Sequence, residues 1–142
     1  MEQECNRAAG QAKGRKAIVV TGASSGIGRG ICERLLAEGY EVYGIGRSFA
    51  STPGQEHFHP MIIDMRNTGA FYEYIKGLLK KINLYGLINN AGVGYYGLHE
   101  TLNAAKIHEM VTVNLEVPMV LAQLALRILK NNHGYMINIS SI

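Results

Sequence analysis

The residues best suited to chemistry sit early in the chain, at Thr21-Gly22-Ala23-Ser24-Ser25-Gly26-Ile27-Gly28. This stretch follows the apolar run Ala17-Ile18-Val19-Val20 and precedes a segment of helical period. Glycines in such a turn let the backbone double back and approach a pyrophosphate closely. The helix behind them offers unpaired N–H groups and the positive end of its dipole. Ser24 and Ser25 can add hydroxyl donors. A glycine pattern alone marks any tight turn, but between a strand and a helix it marks a phosphate cradle. Gly22, Ser24, Ser25, Gly26, Ile27 and Gly28 are therefore read as nucleotide-binding.

With these residues in view, the chain resembles the short-chain dehydrogenase/reductase family in its simple branch. Thr21 to Gly28 matches that family's TGxxxGxG signature. Asn89-Asn90-Ala91-Gly92 is similar to its NNAG motif at the end of the fourth strand. Val113-Asn114 resembles the helix motif with the catalytic asparagine. Ile139-Ser140-Ser141 resembles the end of the fifth strand, whose second serine is catalytic. Four motifs in the family's order, over residues 17 to 142, are far more specific than any one alone. The resemblance implies a cofactor site that includes Asn90, Ala91, Gly92 and Val113, with Asp64-Met65 as the pair beside the adenine. Asp64 also suits a turn or cap.

The end of the second strand bears on which nucleotide binds. An acid there binds a ribose 2′-hydroxyl, whereas a basic residue suits a 2′-phosphate. The strand closes as Gly44-Ile45-Gly46-Arg47-Ser48. Gly46 stands where NAD-preferring relatives usually carry the acid, and a guanidinium at Arg47 can grip a phosphate, with Ser48 as a further donor. Glu41 lies at about the expected distance from the glycines, but it begins the strand and so falls at the wrong end. NADP(H) is expected ahead of NAD(H).

The resemblance also implies hydride transfer between a nicotinamide and a small-molecule carbonyl or alcohol. Ser141 would hydrogen-bond the substrate oxygen and Asn114 would position a water in the proton relay. The family's tyrosine acid/base and the lysine four residues after it belong beyond the fifth strand, where this sequence has ended. The 142 residues alone are thus expected to be inactive. The competing expectation is a non-catalytic nucleotide-binding or interaction module completed by another chain. Tyr72-Glu73-Tyr74-Ile75-Lys76 contains Tyr-x-x-x-Lys, but it precedes NNAG, and Tyr72 and Lys76 fall on a polar face with Glu73 and Lys80. It reads as solvated surface. His57-x-His59 lacks a further ligand cluster and reads as loop, so no metal is expected. His99, His108 and His133 form no pattern, and Tyr95-Tyr96 fit a cleft wall or simple packing.

The elements that must position these groups alternate. Strands are expected at 17–20, 41–46, 61–63, 86–89 and 135–139. A helix over 26–38 carries Ile27, Ile31 and Leu35 on one face and ends at Gly39. A second helix, with Thr68 as N-cap, carries Phe71, Tyr74, Ile75, Leu78, Leu79 and Ile82. A long third helix spans about 104–130 and is apolar almost all round, which asks for burial on more than one side. Alternation of this kind predicts a parallel α/β sheet with helices on both faces, and the family resemblance implies a doubly wound, Rossmann-like sheet with strand order 3-2-1-4-5. Residues 1–16 read as a loose leader before a dinucleotide-binding domain over 17–142. The resemblance makes the long helix an oligomer interface.

Composition bounds the rest. A chain of 142 residues, 47% hydrophobic and 18% charged, suits one globular domain and not a disordered one. Cys5 and Cys32 cannot build a disulfide framework. No sequence run reads as a membrane span or signal peptide, and a scattered net charge of +3 does not suggest nucleic acid. A cytoplasmic protein is expected.

Overall fold

The computed structural model describes residues 14–51 and 55–141. Most of the expected leader, Cys5 and Ile142 lie outside them. Five parallel strands, β1 (Lys16–Thr21), β2 (Glu41–Gly46), β3 (Phe58–Ile62), β4 (Asn83–Asn89) and β5 (Tyr135–Asn138), form one sheet in the order 3-2-1-4-5. Helix α1 (Gly26–Ala37) joins β1 to β2, and α2 (Thr68–Leu79) joins β3 to β4. A third crossover runs as α3 (Ala104–Val111), a π-helical segment (Thr112–Glu116) and α4 (Val117–Asn131). β3 and β4 each begin three residues before the expected start, because partners across the sheet extend the ladders beyond the apolar runs.

Two apolar layers sandwich the sheet. On one face α2 and α4 bring Phe71, Ile75, Leu79, Val117, Leu121, Ala125 and Leu129 against Ala17, Val19 and Leu87. On the other, α1 packs Cys32 and Leu36 against Ile18, Val20 and Val42. Burial on both faces explains why β1 is a continuous apolar run. The buried Cys32 thiol is pushed up to about 12 by burial, which keeps it inert at neutral pH.

Three local expectations shift. α1 buries Gly28, Cys32 and Leu36, while Ile27 is 67% exposed. The helical period matches the expected one and its buried face is shifted by one residue, because a glycine that lets the helix approach the sheet carries no apolar signal. Gly39 does end the helix, at φ +90°, where its missing Cβ removes the strain. Asn67, not Thr68, takes the N-cap position of α2, without a side-chain cap bond. The helix over 104–131 is long and apolar enough to cross a membrane by length and composition. Here one of its faces lies in the sheet's core, so it serves as a packed helix. Its other side leaves Ile107, Val111, Leu115, Met119 and Leu126 exposed.

Candidate nucleotide-binding site

The carboxyl ends of β1, β2, β3 and β4 open into a cavity of about 370 Å³. This is where open α/β sheets place their ligands. Gly22, Ser24, Ser25, Ile27, Arg47, Asp64, Met65, Asn90, Ala91, Gly92 and Val113, all expected from the sequence, line it.

The glycines act differently from one another. Gly22 has φ +67°, and a Cβ there would meet Ala91 Cα at 2.9 Å. A Cβ on Gly28 would lie 2.0 Å from the Gly22 carbonyl oxygen and 2.5 Å from Asn90 Nδ2. Gly28 lets α1 sit against the turn and is not part of the cavity's lining. Gly26, at φ +54°, has open space around it and is needed for its backbone angle. Ser25 occupies the N-cap of α1 without a side-chain cap bond, and the first turn holds no acid. The N–H groups and hydroxyls there suit an added anion, so the residues present fit a pyrophosphate.

The Asn90-Ala91 turn is sewn to the end of β1. Thr21 Oγ1 accepts the N–H groups of Asn90 and Ala91, both at 3.0 Å. The Asn90 side-chain amide donates to the carbonyls of Thr21 (3.2 Å) and Gly22 (3.1 Å). Thr21 is buried, so these bonds are shielded from water and hold the two loops as one rigid wall.

Charge is concentrated at one end. Arg66 chelates Asp64, with Nη2 to Oδ2 at 2.7 Å and Nε to Oδ1 at 3.0 Å, and reaches Glu109 at 3.4 Å. The guanidinium holds the Asp64 carboxyl below its ordinary range, with the Arg47 charge adding to the effect. Glu109 in turn accepts from the Tyr95 hydroxyl. That bond and burial push the Tyr95 pKa upward. Arg47 is exposed, lines the cavity and has neither hydrogen bond nor ion pair among the described residues. Ser48 is exposed beside it but does not line the cavity.

Asn114 stands in the π-helical segment, immediately behind the cavity wall. A Cβ added to Gly92 would meet its Oδ1 at 3.5 Å. Ser141 lies three residues past β5, exposed, and outside the cavity's lining. The Tyr72–Lys76 pair is committed elsewhere. Tyr72 is half-buried, not solvated as expected, and donates to Glu116 at 2.7 Å, while Lys76 pairs with Glu73 at 2.9 Å. Gly46, Arg66, Val93 and Glu109 also line the cavity, beyond the residues that the sequence marks as binding. A signal existed for Glu109, four residues before Val113 and thus on its helical face.

Expected loop residues also gain a role. Glu41 accepts from both His57 (3.0 Å) and His59, across the neighbouring strand ends. Among the described residues no cluster of His, Cys, Asp or Glu is arranged to hold a metal ion.

The sheet order, the glycine turn and the cavity at the strands' carboxyl ends together define a doubly wound, dinucleotide-type α/β domain. Sequence comparison narrows the class: the family model for short chain dehydrogenase matches residues 16–142, and the chain belongs to that family. Over 131 residues it is 30% identical to 3-amino-tetrahydro-pyrrolizinone reductase of Xenorhabdus hominickii, covering 89% of this chain and 46% of that protein. It is 32% identical over 136 residues to NADPH-dependent 3-dehydrocapnine reductase of Ornithobacterium rhinotracheale, covering 87% and 48%. The chain thus spans about half the length of the curated relatives it matches. A solved structure of 4-hydroxyisoleucine dehydrogenase complexed with NADH superposes with a TM-score of 0.77 at 26% identity, covering 89% of this chain and 56% of that one.

Proposed function

We propose that this chain is the cofactor-binding part of an NADP(H)-dependent oxidoreductase that reduces a small carbonyl compound or oxidises the corresponding alcohol. The observation that carries the cofactor choice is Arg47, a cavity-lining cation that forms no ion pair or hydrogen bond among the described residues, next to a glycine where an acid would serve a 2′-hydroxyl. Asp64, a carboxylate in the same cavity whose charge the Arg47 cation feels, is already chelated by Arg66. One curated relative is named as NADPH-dependent, and one structural neighbour carries NADH, so the experiment must separate the two.

Bound nicotinamide would supply or accept the hydride. The chain's own residues then divide the work. The α1 N-terminus with Ser24 and Ser25 holds the pyrophosphate, and Gly22, Gly26 and Gly28 shape its turn. Arg47 and Ser48 take the 2′-phosphate, and Asp64, Met65, Ala91 and Val113 enclose the adenine. Asn114 and Ser141 serve the reacting end, the serine hydroxyl donating to the substrate oxygen and Asn114 holding the proton-relay water. The apolar surface of the 104–131 helix serves self-association in a cytoplasmic oligomer.

Calorimetry with NADPH and NADH, on the chain and on Arg47→Ala, tests the reading. Loss of a charged hydrogen bond should weaken NADPH by about 1.5–3 kcal/mol and leave NADH nearly unchanged. Equal losses for both nucleotides would remove Arg47 from the 2′-phosphate.

A further inference from the structure

We propose that Phe49 is a coenzyme-specificity residue: it fills the space beside Gly46, bars an acidic side chain from the ribose end of the cavity, and fixes Arg47 there instead. This rests on the NADP(H) reading above.

Positions 44 and 46 point to the same face of β2, because side chains alternate along a strand. Both are glycine, and both lie under an aromatic ring. A Cβ on Gly44 would meet Ala23 Cβ and Phe58 Cζ, each at 2.8 Å. A Cβ on Gly46 would meet Ser24 Cβ at 3.1 Å and Phe49 Cε2 and Cζ at 3.3 Å. The two rings hold each other, with centroids 6.1 Å apart and planes at 70°, an edge-to-face pair. Phe49 also packs on the core layer that contains Ala23 and Val42.

None of the walls around Gly46 moves cheaply. Ser24 belongs to the phosphate turn, whose Ala23 N–H donates to the Ile45 carbonyl at 3.0 Å. The Gly46 carbonyl accepts from Ile63 N–H at 3.0 Å, which fixes the strand end from the β3 side. Beyond Phe49, Arg29 Nη1 donates to Ser51 Oγ at 2.8 Å and ties the loop to α1. Between these two anchors Arg47 and Ser48 are exposed, and Arg47 lines the cavity. Exchanging Gly46 for an acid is therefore insufficient to turn this site toward NAD(H). The ring must shrink as well.

The test compares four full chains: wild type, Gly46→Asp, Phe49→Ala and the double variant. Each is titrated with NADPH and with NADH and melted without ligand; Gly46→Ala, alone and with Phe49→Ala, repeats the melts without the added charge. Gly46→Asp should lower the melting midpoint and weaken NADPH without improving NADH. The double variant should recover part of the midpoint lost at position 46 and bind NADH at least about tenfold tighter than Gly46→Asp does. If Gly46→Asp alone binds NADH tighter than wild type, or if the position-46 and position-49 midpoint losses simply add, Phe49 has no such role. A wild type that prefers NADH would instead overturn the cofactor reading, and the midpoint coupling would still decide whether Phe49 crowds Gly46.

Discussion

The side chain of Asn114 grips Val93 by both of its backbone groups. Oδ1 accepts the Val93 N–H at 2.8 Å, and Nδ2 donates to the Val93 carbonyl at 2.8 Å. The glycine-rich loop after β4 thus gains, from a helix, the pairing that a sheet neighbour would otherwise supply. The π-helical segment Thr112–Glu116 carries the gripping residue. Such one-turn bulges recur at functional sites because an extra residue re-aims a side chain without ending the helix.

Replacing Asn114 with leucine keeps the volume and removes both bonds. Chemical denaturation should show a loss of about 1–3 kcal/mol, and exchange of the Val93 amide proton should accelerate. An unchanged exchange rate would mean that another group holds the loop.

Gly28 and Gly30 are both in α1, two residues apart, yet should respond in opposite directions to alanine. At Gly28 the new methyl would lie 2.0 Å from a carbonyl oxygen, and the loss should reach about 3 kcal/mol or more. At Gly30 the space is open, so the helix should gain about 0.5–1 kcal/mol. Urea melts of the two variants measure both. Similar values for the two would contradict the close approach of α1 to the Gly22 turn.

Stability should fall on the acid side through Glu41. Its carboxylate can only accept, so His57 Nδ1 and His59 Nε2 both donate to it. Burial raises its pKa, but the hydrogen bonds and charges of the two histidines outweigh this, and the net value lies below the ordinary 4.5. A carboxyl lowered in the folded state contributes stability above its unfolded pKa and loses it as pH falls through the folded one. The loss from this group should therefore begin near pH 4.5 and deepen below it. Denaturation midpoints at a series of pH values should decline less steeply there in Glu41→Gln than in wild type.

The exposed residues Val111, Leu115, Met119 and Leu126 should drive self-association. Burying ~400 Å² of apolar surface is worth about 10 kcal/mol before association costs. Sedimentation over a concentration series should show dimers or larger species, and Met119→Glu should shift them toward monomer. A monodisperse monomer at every concentration would remove this role from the helix.

Much of this protein is already determined by local chemistry written along the chain. The glycines of the 21–28 turn, the apolar runs of a sheet covered on both faces, and the strand–helix alternation each act over a few residues, so they mark a parallel α/β sheet and its phosphate turn, while the order 3-2-1-4-5 and the rest of the cavity wall were legible through the family resemblance. Other features depend on which distant residues become neighbours, and that is decided only by packing. Ile27 faces solvent because Gly28 permits a close approach that no hydrophobic pattern records. Glu41 meets His57 and His59 because the β2–β3 register sets Val42 against Phe58 and Tyr43 against His59. Arg66 meets Glu109, and Asn114 meets Val93, because a helix crosses the sheet at one angle and one depth. Spacing along a chain encodes periodicity within an element; contacts between elements follow from how side-chain volumes fill the space between them.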